Sequence, residues 1–235
     1  MLRVVKSGNC HILQPQDSEQ EFSEQDFDTS YWQTRPGFEA IVSGRGSSCM
    51  IQLDNGRAIL RQYHRGGLAS NLLINQYLWM GKTMSRPWRE WHVLLRARQA
   101  GLPVPQPIAA CTCRSGFWYR AALMTAYLDD TEMLTLRLRR EALEADGWHR
   151  LGVLIRQMHE ARIRHADLTS DNILIDSKNR FYLVDFDKAR MMNRLGDWQW
   201  RPLLRLQRSM EKRDRIQKLH YDADDWQTLM DGYQS

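Results

Sequence analysis

Short stretches of alternating or apolar residues crowd the first half of the chain. Residues 38–42, 49–53 and 58–63 each carry the pattern of a β-strand, and the Asn-Gly pair before the third is a strong signal for a hairpin turn. Residues 117–128 have the pattern of a buried strand. The first half is therefore predicted to form a small lobe built from about five antiparallel strands.

A helical pattern first occurs at residues 86–99. Pro87 lies in the first turn of this predicted helix, Ser85 can cap it, and Gly101 can end it. The proline-rich segment 102–107 that follows cannot continue as a helix, because each proline restricts the residue before it to extended backbone. It is predicted to be an extended connector.

After Asp130 the pattern becomes mainly helical. One predicted helix carries an apolar stripe made of Trp148, Leu151, Leu154, Ile155 and Met158. Two short strands follow it, at residues 173–175 and 181–184. These elements predict an α+β fold in one domain. Residues 1–125 form a mainly β lobe with an acidic N-terminal segment, and residues 126–235 form a mainly helical lobe with a basic tail.

The composition excludes several classes of protein. With 43% hydrophobic and 26% charged residues, the chain can build a core and is neither disordered nor collagen-like. The longest apolar run, residues 121–128, is too short to span a membrane, and the first residues lack the apolar stretch of a secretory signal.

Four cysteines, at positions 10, 49, 111 and 113, are too few for a disulfide framework in a chain of this length. The pair at 111 and 113 has one intervening residue, whereas a zinc hook needs at least two, and there is no second pair. We therefore expect free, buried thiols in a reducing compartment.

The net charge of +5 is concentrated in the basic tail. Residues 201–220 contain seven lysines and arginines against two acidic residues, whereas residues 14–34 contain six acidic residues and no lysine or arginine. Such a basic block can face an anionic surface, a membrane leaflet or a nucleic acid, or it can be a solvated helix face. Charge alone leaves these alternatives open.

The most informative residues form the segment His165-Ala-Asp-Leu-Thr-Ser-Asp-Asn172, followed after the two predicted strands by Asp185-Phe-Asp187. Asp167, on a tight loop, can accept the proton of an attacking hydroxyl. Asn172 and Asp185 supply oxygen ligands of the kind that Mg²⁺ prefers. The spacing of H-x-D-L-x-x-x-N and D-F-x is that of the protein-kinase signature, and it predicts phosphoryl transfer.

Two further features of the first lobe fit a nucleotide. Gly44 and Gly46 lie in a segment close to G-x-G-x-x-G-x-V, although a cysteine stands at the third glycine, and its backbone amides can cover phosphates. Where a kinase has a strand lysine, this chain has Arg61, which can grip phosphate oxygens. Glu90, on the helix at 86–99, is its expected partner.

With these residues the chain resembles the protein-kinase-like superfamily from about residue 38 to 200. More narrowly, it resembles the family of 3-deoxy-D-manno-octulosonate (Kdo) kinases, which phosphorylate the inner sugar of lipopolysaccharide in Gram-negative bacteria. The motifs that carry this resemblance are Leu60-Arg-Gln-Tyr-His-Arg-Gly-Gly67, Gly101-Leu-Pro-Val-Pro105, Tyr119-Arg-Ala, His165-Ala-Asp-Leu and Val184-Asp-Phe-Asp-Lys188. Of these motifs, the Asp-Phe-Asp triplet, which stands in place of Asp-Phe-Gly, best distinguishes this family from other protein-kinase-like families.

The resemblance implies a bilobal protein-kinase-like fold, with ATP and Mg²⁺ as cofactors. It implies transfer of phosphate to the 4-hydroxyl of Kdo on a lipid A precursor, by an enzyme at the cytoplasmic side of the inner membrane with peripheral membrane contact. The sugar is an acid, so cations are expected near its site, and the candidates are His64, Arg65, Lys188 and Arg190. These four can equally be ordinary surface bases.

Other functions stay open beside this one. A lipopolysaccharide heptose kinase or an aminoglycoside-type kinase would share every catalytic residue, whereas a protein kinase is disfavoured because Ala166 replaces an arginine that ties the loop to a phosphorylated segment. A pseudokinase would not need Asp167, Asn172 and Asp185 together. Nucleic-acid binding rests on the basic tail alone, without a recognisable motif, and no nucleic-acid partner is expected.

Overall fold

The computed structural model describes residues 2–41, 47–63 and 77–235. They form two compact units. The first takes its residues from 1–92 and 106–127, and the second from 93–105 and 128–235. The division falls within one helix, so that residues 93–105 belong to the second unit although residues 106–127 return to the first.

The described part of the first unit is dominated by one antiparallel sheet of eight strands. The order across the sheet is β1-β2-β7-β8-β5-β4-β3, and β6 also pairs with β8. The strands are β1 (Leu2–Ser7), β2 (Cys10–Pro15), β3 (Glu39–Ile41), β4 (Ser47–Leu53), β5 (Gly56–Gln62), β6 (Tyr77–Leu78), β7 (Pro107–Ser115) and β8 (Trp118–Ala126).

Four of these strands, β3, β4, β5 and β8, confirm the strand predictions. The hairpin between β4 and β5 turns at residues 54–55, and Gly56, which begins β5, has a φ of +125°. The expected number of strands is wrong for this unit, because the pattern did not reveal β1, β2, β6 and β7. The strand β1 lies at the edge of the sheet and alternates between exposed and half-buried residues. An edge strand of that kind shows little apolar signal.

The acidic N-terminal segment contributes to the core of the first unit. It contains a short 3₁₀ turn and helix α1 (Thr29–Gln33), and it buries Phe22, Phe27 and Trp32 against the sheet residues. The Trp32 Nε1 donates a hydrogen bond to the Asp26 carbonyl oxygen at 2.8 Å. Three aromatic side chains therefore anchor a segment that its charge alone would place in water.

The expectation that all four cysteines are free thiols is wrong. Cys10 and Cys113 form a disulfide, and Cys49 and Cys111 are free and buried. The two bonded residues are 103 positions apart, but the antiparallel register of β2 and β7 places them directly opposite each other. Linear spacing cannot show such a pair, because it depends on which strands become neighbours.

Helix α2 (Arg86–Gln99) confirms the predicted helix, and Gly101 follows it with a φ of +75°. Trp88, Trp91 and Leu94 are buried, as the spacing requires. Ser85 directly precedes the helix, and its carbonyl oxygen accepts a hydrogen bond from the Arg89 amide at 3.1 Å. Its hydroxyl donates to the Lys82 carbonyl oxygen at 2.6 Å and lies 3.2 Å from the Thr112 hydroxyl. The connector after Gly101 is extended, and the Leu183 amide donates to the Pro103 carbonyl oxygen at 2.9 Å.

The second unit is mainly helical. Its helices are α3 (Leu134–Arg140), α4 (Ala145–Glu160), α5 (Trp200–Gln217) and α6 (Ala223–Gln234). Its strands are β9 (Thr131–Met133), β10 (Ile163–Arg164), β11 (Ile173–Asp176), β12 (Phe181–Leu183) and β13 (Arg190–Met191). The sheet order is β12-β11-β9, with β10 paired to β13, and β11 and β12 are the two predicted strands.

Helices α4 and α6 pack closely together. The apolar stripe predicted on α4 is buried, and on the same helix Gly152 approaches α6 so closely that a Cβ there would lie 2.0 Å from the Leu229 carbonyl oxygen. Gly232 in α6 has the reciprocal contact, 2.1 Å from the His149 carbonyl oxygen. Only glycine permits this backbone approach.

Among the described residues, no helix combines the length and the apolar character needed to cross a membrane.

Candidate active site

The predicted catalytic loop begins at His165, directly after β10, and this histidine ties the loop to the end of β12. The side chain is buried, and its Nε2 lies 2.9 Å from the Val184 carbonyl oxygen. Burial lowers the pKa of His165, so the ring is neutral and Nε2 carries the donated proton. The Val184 amide in turn donates to the Asn172 carbonyl oxygen at 3.0 Å. The loop is thus bound at both ends to the residue before Asp185.

The two predicted metal ligands, Asn172 and Asp185, lie on either side of the hydrogen bond from the Val184 amide to the Asn172 carbonyl oxygen, since Asp185 directly follows Val184. The Asn172 Nδ2 donates to the Asp167 carbonyl oxygen at 2.9 Å, which leaves Oδ1 as the amide oxygen that can bind a cation. Asp185 is exposed and has a φ of +61°, a left-handed conformation that aspartate tolerates better than most residues. An amide oxygen and a carboxylate fit Mg²⁺, a hard cation.

The predicted base, Asp167, is bound by two cations. The Lys188 Nζ lies 2.7 Å from Oδ2, and the Arg205 Nε lies 2.7 Å from Oδ1. Partial burial raises the pKa of the Asp167 carboxyl, but the hydrogen bonds from Lys188 and Arg205 outweigh it and hold the pKa below its ordinary value. At neutral pH Asp167 is therefore an ionised carboxylate.

Helix α5 is joined to the same loop at a second point. Arg213 forms an ion pair with Asp171, and the Asp171 Oδ1 also lies 2.7 Å from the Thr135 hydroxyl. That hydroxyl is 2.8 Å from Ser170 Oγ. Two arginines of the basic tail are thus engaged with acidic residues of the catalytic loop, which the local sequence pattern did not reveal.

The hairpin between Asn172 and Asp185 is stabilised at its turn by a buried carboxylate. The Asp176 Oδ1 accepts hydrogen bonds from the amides of Lys178 and Arg180, each at 2.9 Å, and Asn179 takes the left-handed conformation with a φ of +56°. The Arg180 Nε donates to Asp176 Oδ2 at 2.7 Å. A turn closed in this way holds the register of β11 and β12, and with it the spacing between Asn172 and Asp185.

In the first unit the structure brings together Arg61 and Glu90, the predicted nucleotide-binding pair. Arg61 lies on β5 and Glu90 on α2, and their side chains form an ion pair. The Tyr63 hydroxyl donates to the same carboxylate, and the Arg61 guanidinium lies 5.0 Å from the Tyr63 ring centroid. Burial, and next the charge of Glu90, raise the pKa of Tyr63 far above its ordinary value. Glu90 is itself buried.

Several other predicted residues are not placed in either cluster. Gly44, Gly46, His64 and Arg65 lie outside the described residues. The strands that flank the glycine segment, β3 and β4, do pair antiparallel, with Ile41 opposite Ser48. Arg190 lies on β13 and is exposed.

Sequence reasoning missed several contributors. Arg205 and Arg213 belong to the basic tail, whose role the charge pattern left open, and Arg205 binds Asp167, which lies 38 positions away. Tyr63 was noted only as part of a motif. In the predicted strand 58–63 it lies two residues after Arg61, which places both side chains on the same face, and that spacing could have revealed it.

Comparison with known proteins agrees with this geometry. The family model described as "Lipopolysaccharide kinase (Kdo/WaaP) family" matches residues 29–233. A protein of Vibrio vulnificus named 3-deoxy-D-manno-octulosonic acid kinase is 36% identical over 210 residues, which is 89% of this chain and 88% of the relative. A protein of the same name from Vibrio parahaemolyticus is 34% identical over 229 residues, which is 97% of this chain and 96% of the relative.

A solved structure titled "WaaP in complex with acyl carrier protein" has the same fold. It superposes with a TM-score of 0.59 at 14% sequence identity, and the match covers 83% of this chain and 77% of that one. This similarity confirms the predicted α+β, protein-kinase-like fold.

Proposed function

Because this chain belongs to the lipopolysaccharide kinase (Kdo/WaaP) family, and is therefore a phosphotransferase acting on a sugar hydroxyl, we propose that it transfers the γ-phosphoryl group of ATP to the 4-hydroxyl of Kdo on a lipid A precursor. The single observation that carries this proposal is the loop at Asp167. Asp167 has a carboxylate of depressed pKa, its carbonyl oxygen accepts a hydrogen bond from Asn172 Nδ2, and the loop is tied to the residue before Asp185.

Each residue has a separate role in the proposed reaction. Asp167 accepts the proton of the sugar hydroxyl as that oxygen attacks the γ-phosphorus, and Lys188 counters negative charge beside it. Arg61, oriented by Glu90, holds phosphate oxygens of the nucleotide. Asn172 and Asp185 would hold Mg²⁺, which when bound neutralises charge on the β- and γ-phosphates.

The acceptor is tested by incubating the protein with ATP and Mg²⁺ and one candidate at a time: free Kdo, a Kdo–lipid A precursor, a heptosylated lipid, an aminoglycoside and casein. Mass spectrometry is expected to find one added phosphate on the Kdo-lipid, and NMR to place it on the 4-hydroxyl. The Asp167→Asn variant is the matched control. Phosphate added only to the heptosylated lipid would replace the proposal with a heptose kinase.

We also propose that the protein works at the inner face of the cytoplasmic membrane, because a lipid-linked acceptor stays in the bilayer. Helix α5 supports this proposal. Its Leu203, Leu206 and Met210 are buried, whereas Trp200 and Leu204 are exposed together with several bases. An exposed tryptophan and leucine next to arginines suit a headgroup layer.

The membrane test must avoid the two arginines that bind the catalytic loop. A variant in which Arg201, Arg208, Lys212 and Arg215 are replaced by Gln should lose sedimentation with phosphatidylglycerol vesicles, since each base near an anionic leaflet contributes about 1 kcal/mol. Its activity on a detergent-solubilised acceptor should persist. Unchanged vesicle binding would show that the basic tail is a solvated helix face and does not bind the membrane.

A further inference from the structure

Both oxygens of the Asp167 carboxylate are bound by cations that come from different elements. Lys188 follows β12 by five residues and binds Oδ2, and Arg205, on helix α5, binds Oδ1. The side chains of Lys188 and Arg205 are 61% and 52% exposed, against 20% for Asp167. The carboxylate is thus mostly covered by two cations that are themselves open to solvent.

This arrangement is a poor ground state for a base. Each oxygen of Asp167 already accepts a hydrogen bond from a cation, so a sugar hydroxyl that donates to Asp167 must share or displace one of the two. A base that must take a proton from a sugar hydroxyl works better when one of the cations has moved to another anion. Replacing one anion by another at the cation costs little free energy only if the incoming anion has the geometry of the outgoing one.

The two cations differ in the geometry of the anion that each binds best. Lysine carries a compact charge that binds from any direction, whereas the arginine guanidinium is a planar fork that matches a carboxylate through two parallel hydrogen bonds. The relatives of this chain are named for an octulosonic acid, a sugar that carries a carboxylate. Arg205 is therefore the cation that the acceptor can draw away from Asp167.

We propose that Arg205 exchanges the carboxylate of Asp167 for the carboxylate of the acceptor sugar. This deepens the proposed function and rests on it. In the free protein Arg205 restrains the base. When the acidic sugar binds, Arg205 grips its carboxylate, fixes the orientation of the ring and releases one oxygen of Asp167 toward the hydroxyl. A neutral sugar cannot trigger this exchange, so Arg205 determines the specificity for an acidic acceptor.

The proposal is tested with two acceptors, the Kdo–lipid A precursor in detergent and the same lipid with its sugar carboxylates converted to carboxamides. The wild-type protein should prefer the acid by about 10- to 100-fold in kcat/KM, the range expected when a charge-assisted bidentate contact is lost. Arg205→Gln should lose this preference and treat both acceptors alike within about three-fold. Arg205→Lys should recover only part of it.

Two comparison variants give the result its meaning. Arg208→Gln removes an exposed arginine from the next turn of the same helix and should keep the wild-type preference. Lys188→Gln should slow both acceptors by the same factor. The KM for ATP, measured for each variant, checks that the fold and the nucleotide site are intact.

The outcomes separate the inference from the proposed function. If Arg205→Gln is slow but still prefers the acid to the carboxamide, Arg205 only positions the base and the inference is wrong. If Arg208→Gln loses the preference as well, it arises from the general charge of the helix, which also overturns the assignment. If the wild-type protein phosphorylates neither lipid but does phosphorylate another member of the acceptor panel, the proposed function fails, and the inference fails with it.

Discussion

Glu90 and Asp167 are both carboxylates bound by an arginine, but the surroundings of the two pairs differ. Glu90 is buried, with its side chain 3% exposed, and Arg61 beside it is 20% exposed. Asp167 is half-buried, and both of its cations are largely in solvent. A buried pair cannot lose one partner without leaving a charge unpaired in a medium of low polarity. An exposed pair contributes little and can exchange partners.

This difference assigns different tasks to the two pairs. The Arg61–Glu90 pair, supported by the Tyr63 hydroxyl, is a fixed support that holds a guanidinium in one place. The contacts at Asp167 are a resting arrangement that substrate can rearrange. Positioning a nucleotide calls for fixed contacts, such as those at Arg61. Proton transfer calls for contacts that can rearrange, such as those at Asp167, because a catalytic group must change its contacts during every turnover.

The largest effect should follow from removing the base. Asp167→Asn keeps the shape of the side chain but accepts no proton, so kcat should fall by about 10²-fold or more while the KM for ATP changes little. Steady-state kinetics with the Kdo-lipid acceptor measures both constants. Full activity in this variant would show that the H-x-D loop does not supply the base.

A comparable but distinct loss should follow from breaking the buried pair. Arg61→Ala removes the guanidinium that pairs with the buried Glu90 carboxylate, which should cost about 3 kcal/mol in the free energy of unfolding and raise the KM for ATP about 10-fold or more. Arg61→Lys should restore part of both. Urea unfolding and ATP kinetics of Arg61→Ala, Glu90→Ala and the double variant should be strongly non-additive. Additive losses would mean that the two residues act independently.

The pH dependence should distinguish free from acceptor-bound protein. The depressed pKa of Asp167 keeps the base ionised to lower pH, and Arg205 contributes to that depression. If Arg205 leaves Asp167 when the acceptor binds, the acidic limb of kcat should lie at higher pH than that of kcat/KM, since the first reports the complex and the second the free protein. In Arg205→Gln the two limbs should coincide. Coinciding limbs in the wild type would argue against the exchange.

The smallest effect should be the response to salt. Arg205→Gln should cost less than about 1 kcal/mol in unfolding free energy at 50 mM NaCl, and this cost should shrink at 500 mM because exposed charges are screened. The cost of Arg61→Ala should be the same at both concentrations. An equal salt response for the two variants would remove the contrast between the exposed and the buried pair.

The contacts that lie close together in sequence could be predicted, whereas those between distant elements could not. The hairpin that joins Asn172 to Asp185, and the helix that carries Glu90, follow from hydrophobic periodicity and turn residues. The partnership of Arg61 and Glu90 followed from a known motif. The structure brings these two side chains together, while their role in binding nucleotide stays a prediction.

The binding of Arg205 to Asp167 and the disulfide between Cys10 and Cys113 were not predictable from spacing. Each depends on which elements become neighbours across 38 and 103 positions, and a single sequence carries no record of that pairing. Among the strands that the pattern did not reveal, β1 and β7 were missed for a related reason. Their polar or mixed residues become strand-like only when a partner strand supplies the hydrogen bonds.

The crossing of α4 and α6 has a consequence for how the chain reaches its native state during synthesis. The Gly152–Gly232 contact and the 2.8 Å contact between His159 Nδ1 and the Tyr233 hydroxyl join the middle of the second unit to its last helix. While a ribosome is still adding α6, the buried stripe of α4 has no cover on that side. The packing of α4 in the second unit is therefore completed only after translation has passed Tyr233. Until then its exposed apolar stripe is a surface of the kind that chaperones cover.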